Sequence, residues 1–244
     1  MSEGSIDAIL FDLGATLYES MNVAHATRSF LEEIGLDHMC ELEDSYCVKP
    51  LEMADIWLDE YMLREGVDLY WEPNRNIWVE YSKVVLQTLG LEEGIEHYAH
   101  KYQKCWEELP QNLRSRLLEH AKDTVHELKS RGYTLAVASN RLGDPSSYLK
   151  RDGILEYFSK IEYTAVPGYR KPSPYMLHKI AGELGINPMR CAYVGNYVHY
   201  DVEAAIRADM KPVLVTKCNP EEADKAPKGI VIIEDIKELL DVFY

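Results

Sequence analysis

The pattern of hydrophobic and polar positions predicts two kinds of structure in different parts of the chain. An apolar run from Ile6 to Phe11 ends at a single carboxylate, Asp12, and a glycine follows two positions later. This is the pattern of a buried strand that stops and turns, with the acid at its carboxyl end. Residues 18–108 instead carry helical periodicity without a strand, and they predict a small helical bundle. Its helices are expected at 24–34, 51–64, 76–89 and 92–108, with breaks at Gly35, Pro50, Gly66, Pro73 and Gly90.

From residue 113 onward the pattern changes to alternating helices and strands. A long helix is expected to end at Arg131, and later helices at 144–150, 174–184, 201–208 and 236–242. Strands are expected at 134–138, 160–163, 191–194, 212–215 and 230–233. Such alternation is typical of a parallel sheet with helices on both faces. The sequence therefore predicts an α/β fold. Residues 1–17 and 109–244 are expected to form a three-layer, doubly wound Rossmann-like core, and residues 18–108 to be inserted as an all-α cap over the carboxyl edge of the sheet.

Composition narrows the range of partners. The chain has 244 residues, with 41 acidic against 26 basic side chains and a net charge of -15. That charge repels nucleic acid and anionic membrane surfaces, so an anionic substrate must be drawn in by a metal ion or a few placed cations. Five cysteines without a CxxC pair fit reduced thiols better than disulfides or a zinc site. With no signal peptide or membrane span in view, a soluble cytoplasmic protein is expected.

Polar residues follow the predicted strand 134–138, at the edge where Asp12 is expected. The hydroxyl of Ser139 and the amide of Asn140, next to a helix entry, suit the oxygens of a bound oxyanion. Each of them also fits the role of a helix N-cap. Arg141 follows, and a solvated side chain is the favoured interpretation for it.

Two further segments are expected at the same edge. Lys171 precedes a helix that begins with proline, so its ammonium can neutralise a carboxylate and a phosphate there. Strand 191–194 leads into Asn196, and Asp201 stands five positions later. That spacing lets an amide oxygen and a carboxylate reach one point, as ligands of a hard cation do. A helix cap by Asp201 is the structural alternative.

Taken together, these segments resemble the haloacid dehalogenase (HAD) superfamily of hydrolases. The resemblance rests on four motifs in the order of the family: 11–17, 139–140, 171–174 and 194–210. It implies a Rossmann-like core, an aspartyl-enzyme intermediate on Asp12 and, usually, a magnesium ion, Mg2+. By the same resemblance, Asp12 and Lys171 are catalytic. Substrate is bound by Ser139, Asn140 and Lys171, and the ion by Asp12, the Gly14 carbonyl, Asn196 and Asp201.

Two positions depart from the phosphatase members, whose first motif reads Asp-x-Asp-Gly-Thr. Gly14 stands where the second Asp donates a proton to the leaving alcohol, a role worth roughly 10²–10⁴-fold in rate. His199, Tyr197 or a cap residue can replace it by residue type. Asn196 stands where the family places a metal-binding Asp, so magnesium is expected to bind more weakly.

The leading hypothesis is a magnesium-assisted phosphatase that acts on a small phosphorylated metabolite. The first alternative is a metal-independent attack on carbon, as in the 2-haloacid dehalogenase branch, because a leaving halide needs no proton. A related carbon–phosphorus hydrolase branch requires an imine-forming cap lysine, for which Lys49 and Lys83 are candidates by residue type. The last alternative is a non-catalytic binding protein on the same fold.

Overall fold

The computed structural model describes residues 5–19, 22–39, 44–109 and 116–244. The chain divides into two compact units, Met1–Ser20 with Ser115–Tyr244 and Met21–Arg114. The first unit is α/β and the second is helical. The role of residues 18–108 as a cap stays a prediction. Among the described helices, none combines the length and the apolar character that crossing a membrane requires.

A parallel sheet forms the centre of the first unit and confirms the predicted α/β fold class. Its order in the described residues is β3-β2-β1-β4-β5-β6, and every neighbouring pair is parallel. The strands are β1 Ala8–Phe11, β2 Thr134–Ser139, β3 Phe158–Tyr163, β4 Cys191–Gly195, β5 Lys211–Val215 and β6 Val231–Ile233. All six lie within two residues of the predicted bounds.

The apolar sequence of the central strand, β1, follows from its burial on both faces. Every residue of β1 is buried, with Ile9 and Phe11 in the hydrophobic cluster on one face and Ala8 and Leu10 in the cluster on the other. A strand covered on both faces reads as a continuous apolar run, because neither face meets water. Phe11 pairs with a residue of β2 on one side and of β4 on the other, so the segments after these three strands emerge side by side.

The helices of the first unit are α5 Ala121–Ser130, α6 Ser146–Arg151, α7 Tyr175–Leu184, α8 Glu203–Arg207 and α9 Leu239–Val242. The predicted helix end at Arg131 is confirmed, because α5 ends at Ser130 with Arg131 as its C-cap. Helix α5 begins at Ala121, after a bridge between Leu117 and Tyr18 and a turn at residues 119–120. The predicted helix 201–208 opens instead with a π-helical turn, Val198–Val202.

The second unit contains α1 Val23–Glu33, α2 Asp44–Glu65, α3 Arg75–Thr88 and α4 Ile95–Glu108, in agreement with the predicted bundle. The predicted break at Pro50 was wrong, because α2 continues through this residue. A proline inside a helix removes one backbone hydrogen bond. Burial of Ala54, Leu58 and Met62 along one face favours continuation of the helix. Of the cysteines, Cys40 lies outside the described residues, and Cys105 and Cys191 are buried free thiols.

Candidate active site

Asp12 lies immediately beyond the end of β1, as predicted. Its backbone N–H donates to the carbonyl of Val194 over 2.8 Å, which extends the sheet by one residue, and its side chain is buried. The chain then turns, and the N–H groups of Leu17 and Tyr18 both donate to the Leu13 carbonyl. Within this turn Ala15 has a φ of 54°, in the left-handed region that favours glycine. The carboxylate is therefore presented by a tight turn at the edge of the sheet.

Lys171 joins two carboxylates. Its Nζ lies 2.6 Å from Asp12 Oδ1 and 2.7 Å from Asp201 Oδ1, and it donates over 2.5 Å to the hydroxyl of Tyr193. Lys171 is only 1% exposed. An ammonium has three N–H donors, and all three are engaged here. The structure thus brings together Asp12, Lys171 and Asp201, which are far apart in sequence.

The charges in this cluster depend on one another. Burial disfavours the ammonium, yet the carboxylates of Asp12 and Asp201 outweigh it and raise the pKa of Lys171. Burial raises the pKa of Asp12, with Asp201 adding to the effect and Lys171 opposing it. Burial, followed by the charge of Asp201, raises the pKa of Tyr193 well above its ordinary value. Tyr193 therefore stays protonated, and its hydroxyl donates to the carbonyl of Ala138 over 2.7 Å.

The side chain of Asn140 holds the backbone of Lys171. Its Nδ2 donates to the Lys171 carbonyl over 2.8 Å, and its Oδ1 accepts from the Lys171 N–H over 2.7 Å. Both ends of the amide are used, so Asn140 positions the lysine in this structure. Ser139, the last residue of β2, is buried, and it follows two positions after Val137, the partner of Phe11 in the sheet.

Asp201 orders the segment that follows β4. Its Oδ2 accepts from the N–H groups of Asn196 over 3.0 Å and Tyr197 over 2.9 Å, while its Oδ1 accepts from Lys171. A Cβ at Gly195 would lie 2.3 Å from Asp201 Cγ, so only glycine permits this approach. The carboxylate thereby fixes both the loop and the ammonium.

Asn196 faces the first motif. Its Oδ1 accepts from the Thr16 hydroxyl over 3.3 Å, and its Nδ2 donates to the side-chain oxygen of Asn219 over 2.8 Å. Glu222, which is buried, accepts from the N–H of Val198 over 2.8 Å. The segment after β5 therefore supports the loop after β4 and determines which end of the Asn196 amide points toward Thr16.

Gly14 lies in the turn after Asp12, and a Cβ built there meets no heavy atom within 4 Å. Two of the residues considered as replacements for the missing acid have other partners. His199 Nδ1 pairs with Glu203 at 3.1 Å, and the Tyr197 hydroxyl accepts from Asn219 at 3.4 Å. Lys83 of the imine hypothesis is ion-paired with two glutamates of the second unit.

Several residues of this site were missed in the sequence. Tyr193 lies within an apolar strand, so the pattern predicts a core residue. The only sign of a role in the site is its hydroxyl-bearing ring two residues before the strand ends. Asn219 and Glu222 lie in a polar connection without a recognisable motif. Arg141 was expected to be solvated, and this was wrong, because its guanidinium packs over the ring of Tyr148 with Cζ 4.7 Å from the centroid.

Comparison with known proteins gives a consistent result. The sequence model of the haloacid dehalogenase-like hydrolase family matches residues 6–209. The glyceraldehyde 3-phosphate phosphatase of Methanothermobacter thermautotrophicus is 24% identical over 97% of this chain and 99% of its own length. The phosphoglycolate phosphatase of Aquifex aeolicus is 30% identical over 84% of this chain and 83% of its own length.

Solved structures share the fold. A predicted phosphoglycolate phosphatase from Haemophilus somnus 129pt has a TM-score of 0.66 at 22% identity, covering 98% of both chains. A 2-haloacid dehalogenase from Pseudomonas syringae pv. tomato DC3000 has a TM-score of 0.61 at 17% identity, covering 97% of both. At these identities the likeness concerns the fold alone. The family match and the relatives that align over most of their length show that the chain belongs to the haloacid dehalogenase-like hydrolase family.

Proposed function

We propose that this hydrolase is a phosphatase that acts on small phosphorylated metabolites through an aspartyl-phosphate on Asp12. The observation that carries the proposal is the buried cluster in which Lys171 Nζ contacts both Asp12 and Asp201. Relatives named as phosphatases of glyceraldehyde 3-phosphate and phosphoglycolate support this substrate class. Both names describe small phosphate esters.

In the proposed reaction, Asp12 attacks phosphorus in line with the leaving oxygen. Lys171 engages Oδ1 of Asp12, so Oδ2 is the oxygen that forms the new bond to phosphorus while the bond to the leaving oxygen breaks. Lys171 thus orients the carboxylate and keeps a positive charge beside it. Ser139, with backbone N–H groups at the end of β2, binds phosphoryl oxygens. Water then attacks phosphorus, the bond between phosphorus and Asp12 Oδ2 breaks, and phosphate leaves with the proton of the water.

The carboxylate, amide and carbonyl oxygens near Asp12 are of the chemical types that bind a magnesium ion. Mg2+ takes oxygen ligands and is commonly held by one or two carboxylates together with substrate phosphate. Asp12, the Gly14 carbonyl, the Asn196 amide and Asp201 would hold it. Asp201 also orders the loop through two hydrogen bonds from backbone N–H groups and accepts a third from Lys171. In the described ranges, no three or more His, Cys, Asp or Glu side chains are grouped to hold a metal. Such an ion would supply positive charge to the phosphoryl oxygens and bind weakly.

The glycine at position 14 narrows the expected substrates. Because no carboxyl group at this position protonates the leaving oxygen, the hydrolysis rate falls least for esters whose leaving group has a low pKa. Acyl and aryl phosphates belong to this class. Positioning and electrostatics supply most of the rate in phosphoryl transfer, so turnover of such esters does not require the missing acid.

The proposal is tested by phosphate release from a panel of alkyl, acyl and aryl phosphates, with and without magnesium. The matched control is Asp12→Asn, which keeps the size of the side chain and removes the nucleophile. We expect release that this substitution abolishes. Binding of a phosphate mimic without release from any ester over hours, or equal release by the Asp12→Asn variant, contradicts the proposal.

Attack by Asp12 on carbon is the second candidate, and Asn196 is the observation that favours it. Asn196 carries an amide where the phosphatases carry a metal-binding carboxylate, and Gly14 has no side chain. Both features suit a reaction that needs neither a metal nor proton transfer to a leaving halide. Halide release from a 2-haloacid, unchanged by a chelator, favours this reaction over phosphate hydrolysis.

A further inference from the structure

Arg141 is a cation held in place beside the candidate site. It follows Ser139 and Asn140 at the end of β2, and its N–H donates to the Ser139 carbonyl over 3.0 Å. One guanidinium N–H group donates to the hydroxyl of Tyr148 in α6, and the guanidinium also lies over the Tyr148 ring. Stacking and hydrogen bonding together restrict the side chain more than solvation does.

The ring under the guanidinium belongs to the environment of Asp12. Tyr148 is buried and packs edge-to-face on Tyr18, which ends the turn after Asp12, with ring centroids 4.9 Å apart. Burial raises the pKa of Tyr148 to about 12, against the pull of Arg141, and the charge of Asp12 contributes to the rise. The Tyr148 ring therefore links the guanidinium of Arg141 to the turn that carries the proposed nucleophile.

No ion pair among the described residues neutralises the charge of Arg141. The Nε atom of Arg141 is buried without a hydrogen-bond partner. By contrast, Lys171 is shared between two carboxylates. In a chain with a net charge of -15, an unneutralised cation at this edge favours a negatively charged ligand.

We propose that Arg141 is a specificity-determining residue that binds a second anionic group of the substrate, such as a carboxylate, while the phosphate lies at Asp12. A guanidinium matches a carboxylate through two parallel N–H donors, which makes it selective for such a planar anion. This inference rests on the proposed function, because it assigns the substrate class of the same site as small phosphate esters that carry a further negative charge.

Binding of two phosphonates of equal length tests the assignment without depending on turnover. Phosphonopropionate carries a carboxylate where propylphosphonate carries a methyl group, and their affinities are compared by calorimetry with magnesium present. We expect wild type to prefer phosphonopropionate by about 10- to 100-fold, the range of a hydrogen-bonded charge pair. Arg141→Gln should lose this preference, and Tyr148→Phe should weaken it by releasing the guanidinium.

The control is Lys150→Gln, which removes the same charge from an exposed position on α6 and should keep the preference. Equal binding of both phosphonates by wild type, or a preference that survives in Arg141→Gln, overturns the role of Arg141 and leaves the proposed function standing. Binding of neither phosphonate by wild type overturns both.

Discussion

Restoring an acid at position 14 is the substitution from which we expect the largest gain in activity. Gly14 has a backbone φ outside the left-handed region, and a Cβ there has no heavy atom within 4 Å, so Gly14→Asp introduces no clash at the first carbon. The new carboxyl group stands two residues from Asp12, where the phosphatase motif carries its proton donor. General acid–base catalysis contributes roughly 10²–10⁴-fold, which corresponds to about 3–5 kcal/mol of transition-state stabilisation.

The assay compares kcat/KM for an alkyl and an aryl phosphate in wild type, Gly14→Asp and Gly14→Asn. We expect Gly14→Asp to raise kcat/KM for the alkyl ester by that factor and to change the aryl ester little, because an aryl leaving group needs less protonation. Asn has the shape of Asp without the proton, so Gly14→Asn should gain nothing. An equal change in both variants, or a gain that does not depend on the leaving group, refutes the reasoning.

Ala15 provides a second step in the same motif. Its φ of 54° places a non-glycine residue in the left-handed region, which costs roughly 1 kcal/mol. Ala15→Gly in the Gly14→Asp background completes the Asp-x-Asp-Gly-Thr motif and should offset any loss of stability from the new acid. Urea unfolding of the single and double variants measures this.

Other predictions concern residues that position the site or the fold. Asn140→Ala should lower kcat by about 10- to 100-fold with KM within about twofold, because Lys171 loses its backbone hydrogen bonds, and steady-state kinetics measures both. Asn219→Leu should weaken magnesium binding in calorimetry by about tenfold, whereas Asn219→Asp keeps the acceptor for Asn196 and should retain affinity. Burial opposes ionisation of Asp235, yet its hydrogen bonds lower the pKa to about 2. Its stabilisation, about 1 kcal/mol after solvent screening, is therefore present above pH 3.8 and lost as pH falls toward 2, and comparing the unfolding free energies of wild type and Asp235→Asn across this range checks it.

The meeting of Asp12, Lys171 and Asp201 follows from the sequence because parallel strands end at one edge. Each of these residues comes after an apolar run or before a helix start, so the pattern alone places it at the carboxyl edge of the sheet. The atoms that each side chain contacts do not follow from the pattern. Asn140 was expected to bind substrate, and its amide is instead occupied by the Lys171 backbone.

The remaining differences between the sequence predictions and the structure depend on tertiary packing. Pro50 reads as a helix end locally, and the buried face of α2 outweighs that local signal. Arg141 reads as solvated, and only the position of Tyr148 seven residues later shows what the guanidinium packs against. The sequence pattern predicts that Tyr193 is a core residue, and its ring does lie in the core. The role of its hydroxyl depends on the contact with Lys171, which the pattern does not show.

The central claim is that the Asp12 carboxylate, oriented by Lys171, becomes phosphorylated during turnover. Mass spectrometry of protein quenched in acid while it hydrolyses an aryl phosphate measures this directly. The account predicts one added phosphoryl group on the peptide that contains Asp12, and its loss in Asp12→Asn. Sustained phosphate release with no modification of that peptide, or with the phosphoryl group on another residue, contradicts the account.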